Sequence, residues 1–153
     1  MNKLLILCLL YGFSLNGIYA QSRIIKGVII NDYLENMPGV SITIDDTVEV
    51  GGTDLNGVFQ ISIPASVKKL SFGAVGLEVT SIELADECSE VELVMMLRST
   101  YDFMTLKKVD RLRIKRFRNL PKLHKEAFEK GIFKTDKGCY TREFIPDNEK
   151  KRK

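Results

Sequence analysis

Between Arg23 and Leu97 the chain repeats one pattern. Short apolar runs, several with a polar residue at every second position, are separated by clusters of Gly, Pro, Asn and Asp. Val40, Ile42 and Ile44 alternate with Ser41 and Thr43, and Phe59, Ile61 and Ile63 alternate with Gln60 and Ser62. Side chains so spaced leave opposite faces of an extended backbone, which demands half-buried strands rather than helices. Arg23 to Ile30 (with Gly27 as a bulge), Val48 to Thr53, Leu70 to Phe72, Thr80 to Leu84 and Val91 to Leu97 complete a set of seven strands. Met37-Pro38-Gly39 marks a turn, and Asn56-Gly57, which tolerates positive φ, predicts a closed hairpin. Pro64 ends the strand before it. Seven short strands with no helical stretch between them predict a mainly β fold, a seven-stranded antiparallel β-sandwich over residues 22–97.

The 153 residues suit one domain with an appendage. Met1 to Ala20 reads as a signal peptide: Lys3 supplies the basic start, Leu4 to Leu10 an apolar run, and Ala20 the residue before cleavage. Ile18 is bulky for its place three residues before that cut. The apolar run is short of the ~20 residues a membrane span needs, and Cys8 lies inside it rather than at its end, where a lipid anchor would sit. The expectation is an exported chain, soluble outside the cytoplasm.

Charge divides the remainder. Residues 22–97 hold four basic and twelve acidic residues, net −8, whereas residues 98–153 hold eighteen basic and eight acidic, net +10. A basic segment of this kind seeks anionic surfaces, either on its own acidic half or on an external partner. Residues 98–145 read as a basic, mostly helical extension and residues 146–153 as a disordered tail. From Ser99 to Leu120, an apolar arc of Phe103, Leu106, Val109, Ile114, Phe117 and Leu120 opposes a basic side of Lys108, Arg111, Lys115 and Arg118. Leu112 falls off the apolar arc and Arg113 within it. Pro121 predicts the start of a second helix and Gly131 its end. Three uses of this tail are open: packing on the sandwich, contact with anionic lipid or envelope polymer, and nucleic-acid binding, which export and the lack of a reading motif disfavour.

The segments Lys26-Gly27-Val28-Ile29, Met37-Pro38-Gly39-Val40-Ser41-Ile42, Thr53 to Ile61 and Leu70 to Glu78, in this order, resemble the carboxypeptidase-D regulatory-like domain. Val75 stands where that family usually has a Tyr. The resemblance implies a transthyretin-like (Ig-like) sandwich of about seven strands without peptidase chemistry of its own. It also implies a place in the periplasm or at the outer membrane of a Gram-negative bacterium, where such domains often precede TonB-dependent transporters. Here the domain is expected as a stand-alone exported module that contacts an envelope protein or glycan.

Catalysis is not expected. His124 is the only histidine, read as exposed or capping in a lysine-rich helix, whereas zinc needs three or four convergent ligands. No nucleophile elbow, phosphate loop or dinucleotide loop appears. Asp45-Asp46 and Glu87 with Glu90 fall at strand ends, where carboxylates are solvated. Asp54-x-Asn56-Gly57 resembles part of a calcium loop, but Gly52 and Ile63 occupy the ligand positions at its two ends. No metal or other cofactor is expected. Cys88 and Cys139 remain after export and form a candidate disulfide tying the tail to the domain.

Overall fold

The computed structural model describes residues 21–146, so the signal-peptide segment and residues 147–153 of the tail lie outside the described residues. Eight strands and one helix follow in chain order: β1 (Ser22–Asn31), β2 (Ser41–Ile44), β3 (Val48–Gly52), β4 (Val58–Pro64), β5 (Lys69–Gly73), β6 (Thr80–Leu84), β7 (Glu90–Met95), α1 (Leu106–Glu129) and β8 (Tyr140–Thr141). They form two sheets, β4-β1-β7 and β3-β2-β5-β6-β8. The seven expected strands all form, and β8, from the tail, is an eighth.

The alternation explains the core. Odd-numbered residues of β1, β4 and β7 point inward, so Ile25, Ile29, Phe59, Ile61, Ile63, Leu93 and Met95 meet Ile42, Leu70, Phe72 and Ile82 of the facing sheet. Phe59 and Phe72 pack with tilted rings, centroids 5.9 Å apart.

Three details differ from the expected antiparallel hairpins. β1 and β7 run parallel, Gly27 opposite Val91 and Asn31 opposite Met95, while the other pairs are antiparallel. Gly27 makes no bulge; a Cβ there would lie 1.9 Å from the Val91 carbonyl oxygen, so the residue is glycine because β7 approaches so closely. The register irregularity falls instead between Ile42 and Thr43, opposite β3. The Asn56-Gly57 turn does form, with Gly57 at φ 73° and the Asp54 carboxylate accepting the Asn56 and Val58 N–H groups. It closes no hairpin, however, because β3 pairs with β2 and β4 with β1, so the turn passes the chain from one sheet to the other.

The outer face of the three-stranded sheet carries a second core. Even-numbered residues Ile30, Val94 and Met96 point away from the first core and are covered by Leu120, Ala127 and Phe133. This is why β7 is buried on both faces, as a continuous apolar run requires. The layers are therefore five-stranded sheet, three-stranded sheet, helix.

The helix itself departs from the expected pair. It starts at Leu106, where the Thr105 hydroxyl accepts the Lys108 N–H at 3.4 Å. Residues 99–104 are irregular, and Phe103 is fully exposed at φ 60° rather than part of an apolar arc. Pro121 does not begin a second helix but lies inside the one. An interior proline costs about 3 kcal/mol. Here Val109, Arg113, Leu120, His124 and Ala127 on both sides of it share one buried arc, and that packing keeps the helix continuous. Gly131, at φ 73°, follows the end as expected.

Candidate functional site

Residues of α1 divide by angle. At 100° per residue the buried residues centre on one direction, and Lys107, Arg111, Lys115, Arg118, Lys122 and Lys125 fall within an arc of about 80° almost opposite. At 1.5 Å per residue this row is about 27 Å long. Every one of the six is exposed. Lys125 lies 3.8 Å from Glu129, and among the described residues the other five form no salt bridge. Of the four residues expected from sequence, Arg111, Lys115 and Arg118 lie within this row and Lys108 stands at its edge, exposed. Lys107, Lys122 and Lys125 were missed, although continuing the same three-or-four spacing in both directions finds them.

The opposite face fixes the helix. Arg113, 8% exposed, donates from Nε and Nη2 to Glu78, with 3.0 Å between Nη2 and Oε2, and from Nη1 to Asp110 at 3.3 Å. Arg116 donates to Asp32 at 2.6 Å and to the Leu97 carbonyl at 2.8 Å. The arginine that interrupted the apolar arc is thus the clamp that holds the basic tail to the acidic half. Of the three uses open for the tail, packing on the sandwich is the one seen here: this face of α1 docks on it, and the basic face is exposed.

Beyond the helix, Glu92 on the outer face of β7 is buried and accepts the Lys134 and Thr135 N–H groups and the Thr135 hydroxyl. Lys134 pairs with Glu90, and that contact lowers the Glu90 carboxyl below its ordinary range. His124 is buried, not exposed: its Nε2 donates to the Thr135 carbonyl at 3.2 Å and its ring lies 4.7 Å from that of Phe133. Burial lowers its pKa. Its sequence neighbourhood of lysines concealed that it sits on the buried arc. The Tyr140 hydroxyl donates to the Glu92 carbonyl at 2.8 Å, and burial pushes it up to about 12.

Cys88 and Cys139 are joined, with Cα atoms 5.4 Å apart, bringing Tyr140 onto the free edge of β6. The carboxylates at the strand ends are paired or solvated: Asp46 accepts from Ser71 and Lys69, Glu90 from Lys134, and Glu87 is exposed. Among the described residues no group of His, Cys, Asp and Glu could hold a metal, and no helix is long and apolar enough to cross a membrane. No protein-family model and no curated protein matches the chain.

Proposed function

We propose that the protein is a non-enzymatic binding and scaffolding module of the cell envelope, and that the exposed row of cations on α1 is the surface with which it holds an anionic envelope polymer. The carboxypeptidase regulatory-like resemblance and the leader-like first twenty residues support export to the periplasm or outer membrane. One observation carries the polymer contact: α1 is pinned by its opposite face, so six cations stand in a pre-ordered row along one continuous helix with their charge unspent on the acidic sandwich. A rigid row about 27 Å long meets a linear polyanion without first ordering a flexible tail, which removes much of the entropic cost of binding.

Titration of the full-length chain with dextran sulfate tests this. Binding is expected to weaken steeply with added salt, and the triple change Lys115→Glu, Arg118→Glu, Lys122→Glu to lower affinity by more than about tenfold with unchanged circular dichroism. A triple variant that binds as the parent does would remove the row from function. A glycan-stacking platform on the sandwich is less well supported, because Phe59 and Phe72 are buried and Tyr33 is the exposed aromatic there.

A further inference from the structure

The two ends of the sandwich differ in what their loops display. Residues 32–40, 53–57, 74–79 and 96–104 converge at one end: the Ile29 N–H donates to the Gly57 carbonyl, the Thr53 N–H to Val40, and the Arg98 N–H to Gly76. Their tips leave Tyr33, Leu55, Val75, Val79 and Phe103 exposed, Val75 at 104% and Phe103 at 109%. Among the described residues at the opposite end, the connections 45–47, 65–68 and 85–89 themselves leave no large apolar side chain exposed, and the strand residues beside them, Ile24 and Val48, are exposed at 58% and 53%. Phe103 is displayed at positive φ, a conformation a bulky residue rarely takes.

Side chains this exposed project singly from four loops, Val75 and Val79 sharing one. A protein partner recognises a continuous, closely packed patch, whereas the interfacial layer of a bilayer is fluid and closes around separate wedges. The charges nearby favour an anionic layer. Arg113 on Glu78 and Arg116 on Asp32 place the N-terminal turns of α1 at this end. The first turn carries no acidic residue, so Lys107, Lys108 and Arg111 add to the positive end of the helix dipole. The acidic residues here are partly engaged: Asp54 accepts from its own turn, Glu35 accepts from Asn31, and Asp102 remains exposed.

We infer that this end enters the interface of an anionic lipid membrane, with Leu55, Val75, Val79 and Phe103 as wedges and Lys107, Lys108 and Arg111 on the headgroups. The molecule then stands end-on: the first two cations of the row, Lys107 and Arg111, go to the headgroups, and Lys115, Arg118, Lys122 and Lys125 stay in water for the polymer. This goes beyond the polymer reading and does not depend on it.

The chain contains no Trp, so one introduced at a chosen place reports on that place alone. Val75→Trp, Phe103→Trp and, at the far end, Val48→Trp would be mixed as full-length proteins with vesicles of phosphatidylglycerol and phosphatidylcholine, some with brominated acyl chains. Emission from positions 75 and 103 is expected to shift to the blue and be quenched by bromine, while position 48 stays unchanged. Changing Lys107, Lys108 and Arg111 to Glu is expected to weaken vesicle binding by about tenfold or more, since cations near an anionic surface each add to the attraction. Vesicle binding with positions 75 and 103 still in water overturns the inference and leaves the cation row standing. No vesicle binding overturns it too and favours a protein on the loops. Insertion that survives alongside a failed dextran sulfate titration would instead sink the polymer reading alone.

Discussion

The two cores of this molecule are built from different materials. Between the sheets, large aliphatic side chains and the Phe59–Phe72 pair close on one another, and packing suffices. Between the outer sheet face and α1 the apolar contact is small, centred on Ile30, Val94, Met96, Leu120, Ala127 and Phe133. It is bordered by charged and covalent ties: Arg113 on Glu78, Arg116 on Asp32, Glu92 on the 134–135 backbone, and Cys88–Cys139. The outer face of the helix is cationic and adds no apolar area, and the attachment is reinforced by directional contacts along the margin.

Substitutions can break the comparison in order of size. Phe72→Ala is expected to cost about 3–5 kcal/mol in urea unfolding and to lower protection from hydrogen exchange everywhere. Arg113→Ala is expected to cost about 3 kcal/mol, because it strands the Glu78 carboxylate, whose side chain is only 10% exposed, while Arg113→Met combined with Glu78→Leu should recover most of it. Loss of protection in that single variant should be confined to α1; a loss spread equally over β4 would show that the two cores are one cooperative unit. Removing the disulfide, which closes a separation of 51 residues, should cost about 2–4 kcal/mol, with β8 exchanging first.

The smallest effect is one of pH. Burial lowers the folded-state pKa of His124 below its ordinary 6.5. The unfolded chain therefore takes up the proton first as pH falls through that value, and stability drops until the folded pKa is passed. Glu90 is lowered by Lys134 from 4.5, so its contribution is lost only below that pH. Between pH 7.5 and 5 the urea midpoint should fall, and His124→Gln should flatten the slope. An unchanged slope would mean the imidazole is hydrated.

The sandwich was legible because a period of two survives in each strand whatever it pairs with, and the turns at Gly39, Gly57 and Pro64 follow from local chemistry. What pairs with what is not local. Nothing near Gly27 announces a parallel neighbour that begins more than sixty residues later. Nothing about Asn56-Gly57 reveals that the strands beside it belong to different sheets. The basic side of the tail was legible as helical spacing, and its length was not, since Pro121 reads as a start and only the shared buried arc overrides it. The clamp was visible as an anomaly, an arginine among apolar positions, whose meaning waited for Glu78. Glu92 gave no signal, because the groups that satisfy it come from a turn more than forty residues away, and His124 gave none, because lysines surround it in sequence.

The pairing of β1 with β7 has a consequence for timing. The central ribbon of the smaller sheet is the first to leave the ribosome, yet one of its two neighbours is the seventh, so an emerging chain has no stable partial product to settle into along that side. Closure must wait for a long loop to bring both ends together, which makes for slow assembly and an extended lifetime as open polypeptide. A chain of that habit can be threaded through a narrow passage before it has anything to unfold.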